Sequence, residues 1–282
     1  MQIQLPTEVQ NCPNFVNNAF VAGAGEPLII YSPWNGKKVG ESRCSTKGDV
    51  DAAVSAASAA QIAWGETPIK ERTKVMFNFR EILLRDLEKI SQIVAAENGK
   101  TPIEARAGVM KGVEVLEYAI SLQNLDLGGK MEVSRGVHCE YRREALGVIA
   151  NITPFNFPVM VPMWTIPIAL TLGNAYIWKP SEKTPLASMW LANSLKEAGL
   201  PSGLFQVLQG GKETVEAIID APAVKAIGFV GSTKIAKMVY ERATKLGKRA
   251  LALGGAKNHI VLLPDANLDL CGAGISDSFT GC

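Results

Sequence analysis

Three groups of residues carry side chains suited to chemistry on a carbonyl and to holding a phosphorylated ligand. Asn156 stands in Pro154-Phe155-Asn156-Phe157-Pro158, a turn stiffened by a proline at each end. Proline fixes its own φ and biases its predecessor away from helix, so the turn has few conformations. A side-chain amide held there can donate to a developing oxyanion; the plainer alternative is an asparagine that satisfies its own turn. Lys179 and Glu182 lie just beyond an apolar run. A carboxylate at such a strand end accepts hydrogen bonds from ribose hydroxyls, and the lysine can donate to the same hydroxyls or pair with a phosphate. A solvated loop ion pair is the alternative. In Phe229-Val230-Gly231-Ser232-Thr233 a strand gives way to a helix. Free N–H groups and the helix dipole make such a junction an anion site suited to a pyrophosphate, or it is an ordinary N-cap. It is not the G-x-G-x-x-G fingerprint.

These groups need elements that bring them to one edge. Leu146 to Ile152 is short, apolar and rich in β-branched residues, as a buried parallel strand requires. Met160 to Leu172 is long and apolar enough for a buried helix, closed by Gly173-Asn174, and Ala175 to Trp178 is a second strand. Two parallel strands joined by a helix form a right-handed unit, and ligands bind outside the carboxyl ends of its strands. The alternation continues with a helix over Leu186 to Ala198, a strand over Leu204 to Leu208 and a helix over Glu213 to Ile219. A strand over Val224 to Val230, a helix over Lys234 to Leu246 and a strand over Arg249 to Leu253 follow. The pattern predicts a further strand over Ile260 to Leu263 and helix from Asn267 on. The fold class expected is α/β, a doubly wound, mostly parallel sheet.

Earlier in the chain, Asn14 to Tyr31 reads as a small antiparallel start that turns at Gly23 to Pro27, and Ser32 to Gly36 as a dense turn. Four amphipathic helices follow. The first starts after Ser45-Thr46, the second after Thr67-Pro68, the third runs through Ile90, Ile93 and Val94 to Gly99, and the fourth runs from Thr101-Pro102 to about Leu122. Leu127 to Arg143 changes character, with Met131, Val133, Val137 and Tyr141 alternating around Arg135-Gly136. This predicts a projecting β-hairpin, and exposed edges of that kind pair with other chains.

Composition excludes several classes. The 282 residues are 47% hydrophobic and 20% charged with a formal net charge of +2, which suggests neither a nucleic-acid nor a membrane surface. Met1 to Asn11 lacks the basic-then-apolar pattern of a signal peptide, and no apolar run approaches the roughly 20 residues of a membrane span. The five cysteines, Cys12, Cys44, Cys139, Cys271 and Cys282, are odd in number, widely spaced and without C-x-x-C. Reduced thiols in a cytoplasmic chain are expected, with no disulfide framework and no metal site. With only His138 and His259 present, a Ser-His-Asp triad is not expected.

T-P-F-N-F-P, W-K-P-S-E-K-T-P, A-G-L-P-S-G, F-V-G-S-T and L-G-G-A-K-N-H occur in this order from Thr153 to His259. In order and spacing the chain resembles the aldehyde dehydrogenases, essentially from Asn14 on. The blocks P-F-N-F-P-V-M-V-P-M-W-T-I-P and G-A-K-N-H-I-V-L-L-P-D-A-N-L are most similar to the methylmalonate-semialdehyde branch. The resemblance implies a Rossmann-like NAD-binding domain, with Phe155, Lys179, Glu182, Lys183, Ser232 and Gly254 at cofactor-contacting positions and Ile235 against the adenine. It implies Asn156 as the oxyanion donor. It also implies a covalent route in which a cysteine thiolate attacks the aldehyde, hydride leaves to NAD and a thioester remains. In the branch resembled, coenzyme A takes the acyl group from methylmalonate or malonate semialdehyde with loss of carbon dioxide. The partners implied are that small-molecule semialdehyde and further copies of the chain, as a dimer or tetramer formed through the hairpin.

The chain departs from the family pattern in four places. Ala252 stands where most members carry a general-base glutamate; alanine cannot activate water, which fits coenzyme A as acyl acceptor. A hydrolytic enzyme for another semialdehyde, such as succinate semialdehyde, is the alternative that this residue disfavours. Lys111 matches the arginine that holds the substrate carboxylate in the resembled branch, and lysine lacks its bidentate fork. Ala236 replaces a usual glycine, with little effect expected. Finally, the G-Q-x-C or G-E-x-C element of the nucleophile is not in the sequence; Cys282 follows Phe279-Thr280-Gly281 and reads as a buried helix cysteine. The organisation expected is a cofactor domain over 1–126 and 146–256, a hairpin over 127–145 and the start of a catalytic domain over 257–282. Such a chain is expected not to turn over alone. Read literally, it is instead a non-catalytic NAD-binding or assembly module.

Overall fold

The computed structural model describes residues 3–124 and 128–280. Short strands come first: β1 (Gln10–Asn11), β2 (Asn14–Val16), β3 (Ala19–Val21), β4 (Pro27–Tyr31) and β5 (Lys38–Arg43). Four helices follow, α1 (Lys47–Glu66), α2 (Ile69–Arg85), α3 (Leu87–Asn98) and α4 (Pro102–Ser121). The hairpin strands are β6 (Gly128–Ser134) and β7 (Val137–Arg142). The alternating region comprises β8 (Val148–Ile152), α5 (Met160–Met163), α6 (Ile166–Thr171), β9 (Ala175–Lys179), α7 (Leu186–Glu197), β10 (Phe205–Val207), α8 (Lys212–Asp220), β11 (Val224–Val230), α9 (Thr233–Lys245), β12 (Arg249–Leu253) and α10 (Leu268–Thr280).

The principal sheet has the order β12-β11-β8-β9-β10-β2-β3. Its first five strands are parallel, and β2 and β3 add antiparallel. From β8 the chain moves through β9 to β10 in one direction, then returns past β8 to β11 and β12. Right-handed crossovers therefore put the connecting helices on opposite faces. One face carries α1, α8 and α9, and the other α6 and α7 with α2, α3 and α4 layered behind. The reversal falls between β8 and β11, whose carboxyl ends flank the crevice where such sheets bind ligands. Strand β9, Ala175 to Lys179, is buried throughout, with Tyr176 and Trp178 among the largest enclosed side chains. Its continuous apolar run is what burial on both faces selects.

Three expectations need correction. The helix over Met160 to Leu172 is two helices, α5 and α6, broken at Trp164-Thr165. Pro167 has no N–H and its ring opposes the carbonyl four residues back, so one continuous helix cannot form. The break is also held by Thr165, whose hydroxyl accepts from Asn151 Nδ2 at 2.7 Å and lies 2.6 Å from the Tyr176 hydroxyl. Second, Asn14 to Tyr31 is not one hairpin. β2 turns to β3 through Asn17 and Asn18, both at positive φ, whereas β4 joins β5 in a separate three-stranded sheet with β1. Gly23 and Gly25 lie where the chain crosses between them; a Cβ on Gly23 would sit 2.6 Å from the Arg43 and Cys44 carbonyl oxygens. Third, Ile260 to Leu263 is not a strand. It pairs with no strand among the described residues, and Val261 is 81% exposed. A β-branched run forms a strand only where a neighbouring ladder takes up its backbone groups.

Candidate active site

The carboxyl ends of β9, β8, β11 and β12 are neighbours in the sheet. At about 4.8 Å per strand, four ends span roughly 15 Å, a shelf for an extended ligand. Residues 153–157 leave β8, 180–183 leave β9, 231–232 leave β11 and 254–255 leave β12. The sheet thus gathers Phe155, Asn156, Lys179, Glu182, Lys183, Ser232 and Gly254 on one edge.

At β9, Lys179 is buried and its Nζ lies 3.3 Å from Glu182 Oε2, while Glu182 is half exposed. Burial pulls the Lys179 ammonium below its ordinary value, and Glu182 partly offsets it. Burial raises the Glu182 carboxyl, and Lys179 with a backbone donor more than reverses that, so it stays ionised. An ionised acceptor open to solvent beside a buried ammonium suits a pair of ribose hydroxyls. The loop is rigid: Ser181 Oγ accepts from Lys183 N at 3.2 Å, and Trp178 Nε1 donates to Thr153 Oγ1 at 2.9 Å, joining the ends of β8 and β9.

At β11, Ser232 occupies the N-cap of α9 by its backbone, but its exposed hydroxyl makes no capping bond. That weakens the ordinary N-cap alternative and leaves the hydroxyl open to a ligand. Thr233 Oγ1 accepts from Gly255 N at 3.0 Å and so draws the end of β12 against the start of α9. A Cβ on Gly254 would lie 3.1 Å from Thr233 Cα and Oγ1, so only glycine fits without displacement. Ile235 is 40% exposed on the first turn of α9, and Ala236 beside it is buried. Ala252 is half-buried in β12 opposite Phe229.

At β8, Asn156 is exposed, and its side chain makes no hydrogen bond among the described residues. Its amide does not satisfy its own turn, which removes the plainer alternative and leaves a free donor. Phe155 is 47% exposed with Lys183 Nζ 4.8 Å from its ring centroid. A cleft of about 500 Å³ opens beside it, lined among others by Tyr31, Asn98, Phe155, Glu182, Lys183 and Thr184. The buried Thr184 hydroxyl has no hydrogen-bond partner among the described residues. A larger cavity, about 890 Å³, lies away from this edge between residues 4–11, α3 and α7; it holds none of the candidate residues.

Lys111 is not gathered with the strand ends. It is exposed on α4 and ion-paired with Glu114 at 3.0 Å. On the turn beside it, Gly112 lets α4 approach Met163, whose Cβ and Cγ a Cβ there would meet at 3.1 Å. Cys282 lies outside the described residues. Sequence reasoning missed Glu97 and Asn98. Gly99 reads as a helix end, but nothing local in Glu97-Asn98 announces contacts to residues 57 and 89 or more positions away. Glu97 is fully enclosed and accepts from Leu186 N and Ala187 N at 2.7 and 3.0 Å, which caps α7.

The aldehyde dehydrogenase family profile matches residues 20–282. The chain belongs to the aldehyde dehydrogenase family. The malonate-semialdehyde dehydrogenase of Bacillus pumilus is 39% identical over 265 residues, covering 93% of the chain and 54% of that protein. That of Bacillus cytotoxicus is 38% identical over 279 residues, covering 98% and 57%. Among solved structures, the NAD complex described as a methylmalonate-semialdehyde dehydrogenase from Sinorhizobium meliloti superposes with a TM-score of 0.94 at 37% identity, over 97% of the chain and 56% of its own. The methylmalonate-semialdehyde dehydrogenase of Oceanimonas doudoroffii gives 0.93 at 37%, over 95% and 55%. This aldehyde dehydrogenase chain thus spans little more than half the length of these relatives. No described helix is long and apolar enough to cross a membrane.

Proposed function

We propose that this aldehyde dehydrogenase chain holds NAD and supplies the oxyanion donor for oxidation of malonate or methylmalonate semialdehyde, with coenzyme A as acyl acceptor. The gathering of Asn156, the Lys179–Glu182 pair, Ser232 and Gly254 on four adjacent parallel strand ends carries this reading. The residues fit the cofactor: a cradle that a Cβ would fill at Gly254, an uncapped hydroxyl at Ser232 and an ionised carboxylate at Glu182. When bound, NAD supplies the acceptor for the hydride that leaves the aldehyde carbon. Glu182 and Lys179 orient the adenosine ribose, and the open N–H groups of α9 with Ser232 meet the pyrophosphate. Ile235 would pack against the adenine, and Phe155 and Lys183 would border the cofactor on the side toward Asn156. Asn156 donates from its amide to the oxygen that gains charge when the carbonyl is attacked. Lys111, released from Glu114, attracts the substrate carboxylate as a point charge. Ala252 leaves no base for water, which favours a thiol acceptor over hydrolysis.

The thiolate nucleophile is assigned to no described cysteine. Cys12 is buried, and its thiol is pushed up to about 12, by burial first and by Glu97 second. Cys44 is half-buried directly after β5, Cys139 lies on the hairpin and Cys271 in α10. In this reading residues 1–126 and 146–256 form the cofactor part of the machinery, residues 127–145 a pairing hairpin, and residues 257–282 belong to a catalytic part. The test is titration of the purified chain with NADH, followed by its fluorescence, and an assay with malonate semialdehyde, NAD and coenzyme A. Saturable NADH binding without turnover is expected. No binding at millimolar NADH would remove the cofactor reading, and NADH production would overturn the division of labour.

A further inference from the structure

The turn that carries Asn156 is gripped from the end of α3. Asn98 Nδ2 donates to the Phe155 carbonyl oxygen at 2.7 Å. That carbonyl belongs to the same peptide plane as the Asn156 N–H, so one bond sets the plane from which Asn156 projects. Two residues on, Lys100 Nζ stands 3.5 Å from the centroid of the Phe157 ring. Both residues reach the turn because Gly99 between them is left-handed, at φ 88, and ends α3 with its N–H on the Ala95 carbonyl. A Cβ there would lie 2.8 Å from Pro33 Cγ.

The end of α3 is itself immobilised. Ser32 Oγ donates to the Ala96 carbonyl at 3.2 Å, and Trp34 Nε1 to the Ala95 carbonyl at 3.1 Å. On the other side the Glu97 carboxyl group accepts from the first N–H groups of α7. Asn98 is thus presented from a platform tied to the β4–β5 turn and to α7. The two prolines of the turn restrict φ but cannot choose where the turn points. The contacts of Asn98 and Lys100 do.

We propose that Asn98 is a positioning residue: it orients the Phe155–Asn156 peptide so that the Asn156 amide faces the reacting end of the bound cofactor. This rests on the reading of Asn156 and Phe155 given above. The adenosine end, at Glu182 and Ser232, is held by other strands. Loss of the Asn98 bond therefore weakens the nicotinamide half of the site and leaves the adenosine half intact.

The experiment compares the chain with its Asn98→Asp and Asn98→Ala variants. Aspartate keeps the shape but loses the donor; alanine loses both and introduces no charge. Affinities for NAD+ and for AMP are measured by calorimetry, and amide exchange at 155–157 by mass spectrometry on a peptide spanning the turn. Both variants are expected to bind NAD+ about five- to tenfold more weakly, as the loss of one hydrogen bond predicts, with AMP affinity unchanged and exchange in the turn accelerated. Equal loss of AMP and NAD+ affinity would make Asn98 a general structural residue and overturn the proposal, as would an unchanged affinity ratio. If the parent chain binds neither ligand, the cofactor reading fails and takes this role of Asn98 with it. Faster exchange in the variants would then show that the grip on the turn is real but serves something else.

Discussion

At the scale of single residues, the site depends on charges kept where burial disfavours them. Glu182 is held ionised against its own desolvation by Lys179. Glu182→Gln removes a charged acceptor for hydroxyls, worth about 1.5–3 kcal/mol, and should raise the dissociation constants of both AMP and NAD+ by tenfold or more in the same titrations. Glu97 is the opposite case. Burial pushes its carboxyl up to about 8, against the pull of the two α7 N–H groups. An unfolded glutamate releases its proton near 4.5, so between these values the folded chain holds a proton that the unfolded chain has lost. The stability that this provides is present below about 4.5 and is lost as pH rises through about 8. The melting temperature should therefore fall between pH 5 and 8. Glu97→Gln, which cannot ionise, should flatten that slope in melts followed by circular dichroism, at the cost of one of the two caps on α7.

At the scale of elements, what sets the strand ends in place is how each helix begins and stops. Thr46 and Asp49 form a reciprocal capping box at the start of α1, and Thr101 and Glu104 do the same for α4. Thr46→Ala should cost about 1 kcal/mol, read from urea denaturation, without changing ligand affinity, because α1 supplies no residue to the site. Gly99→Ala is a different matter. The residue is left-handed and already meets Pro33, so a loss of about 1–3 kcal/mol is expected. It should come with faster amide exchange at 155–157, since the grip on the turn starts there. A stability loss without any change in the turn would separate the two roles.

At the scale of the molecule, the hairpin carries apolar side chains that stand open to solvent. In β6 and β7 the pairs Gly129–Tyr141 and Met131–Cys139 share one face, while Lys130–Glu140 and Glu132–His138 share the other. Met131, Val133, Val137 and Tyr141 are each more than half exposed. A two-stranded ribbon with an apolar face is marginal in water unless something covers it. A second copy of the chain is the cover we propose. Light scattering should give a mass that is a multiple of 30.2 kDa, and Met131→Lys with Val137→Lys should return it to the single-chain value while leaving NAD+ affinity unchanged. A parent chain that is already monomeric would remove the proposal.

The sequence alone determined whatever depends on local chemistry. The β11 and β12 boundaries, the capping of α1 and α4 and the left-handed stop at Gly99 follow from propensity, caps and glycine. These act over a few residues and are legible at that range. The family motifs likewise marked Asn156, Lys179, Glu182, Ser232 and Gly254 before their neighbours were known. What the tertiary structure decided are the relations between distant segments. Met160 to Leu172 is long and apolar enough for one helix, but Pro167, whose ring acts on a carbonyl four residues back, divides it. Ile260 to Leu263 continues the strand pattern by sequence, but a strand exists only with a partner for its ladder. The return of the chain past β8 created the crevice between β8 and β11. The Asn98 bond to the Phe155 carbonyl joins residues 57 positions apart. No local pattern encodes that bond, because its geometry exists only once α3 and β8 have packed against the same core.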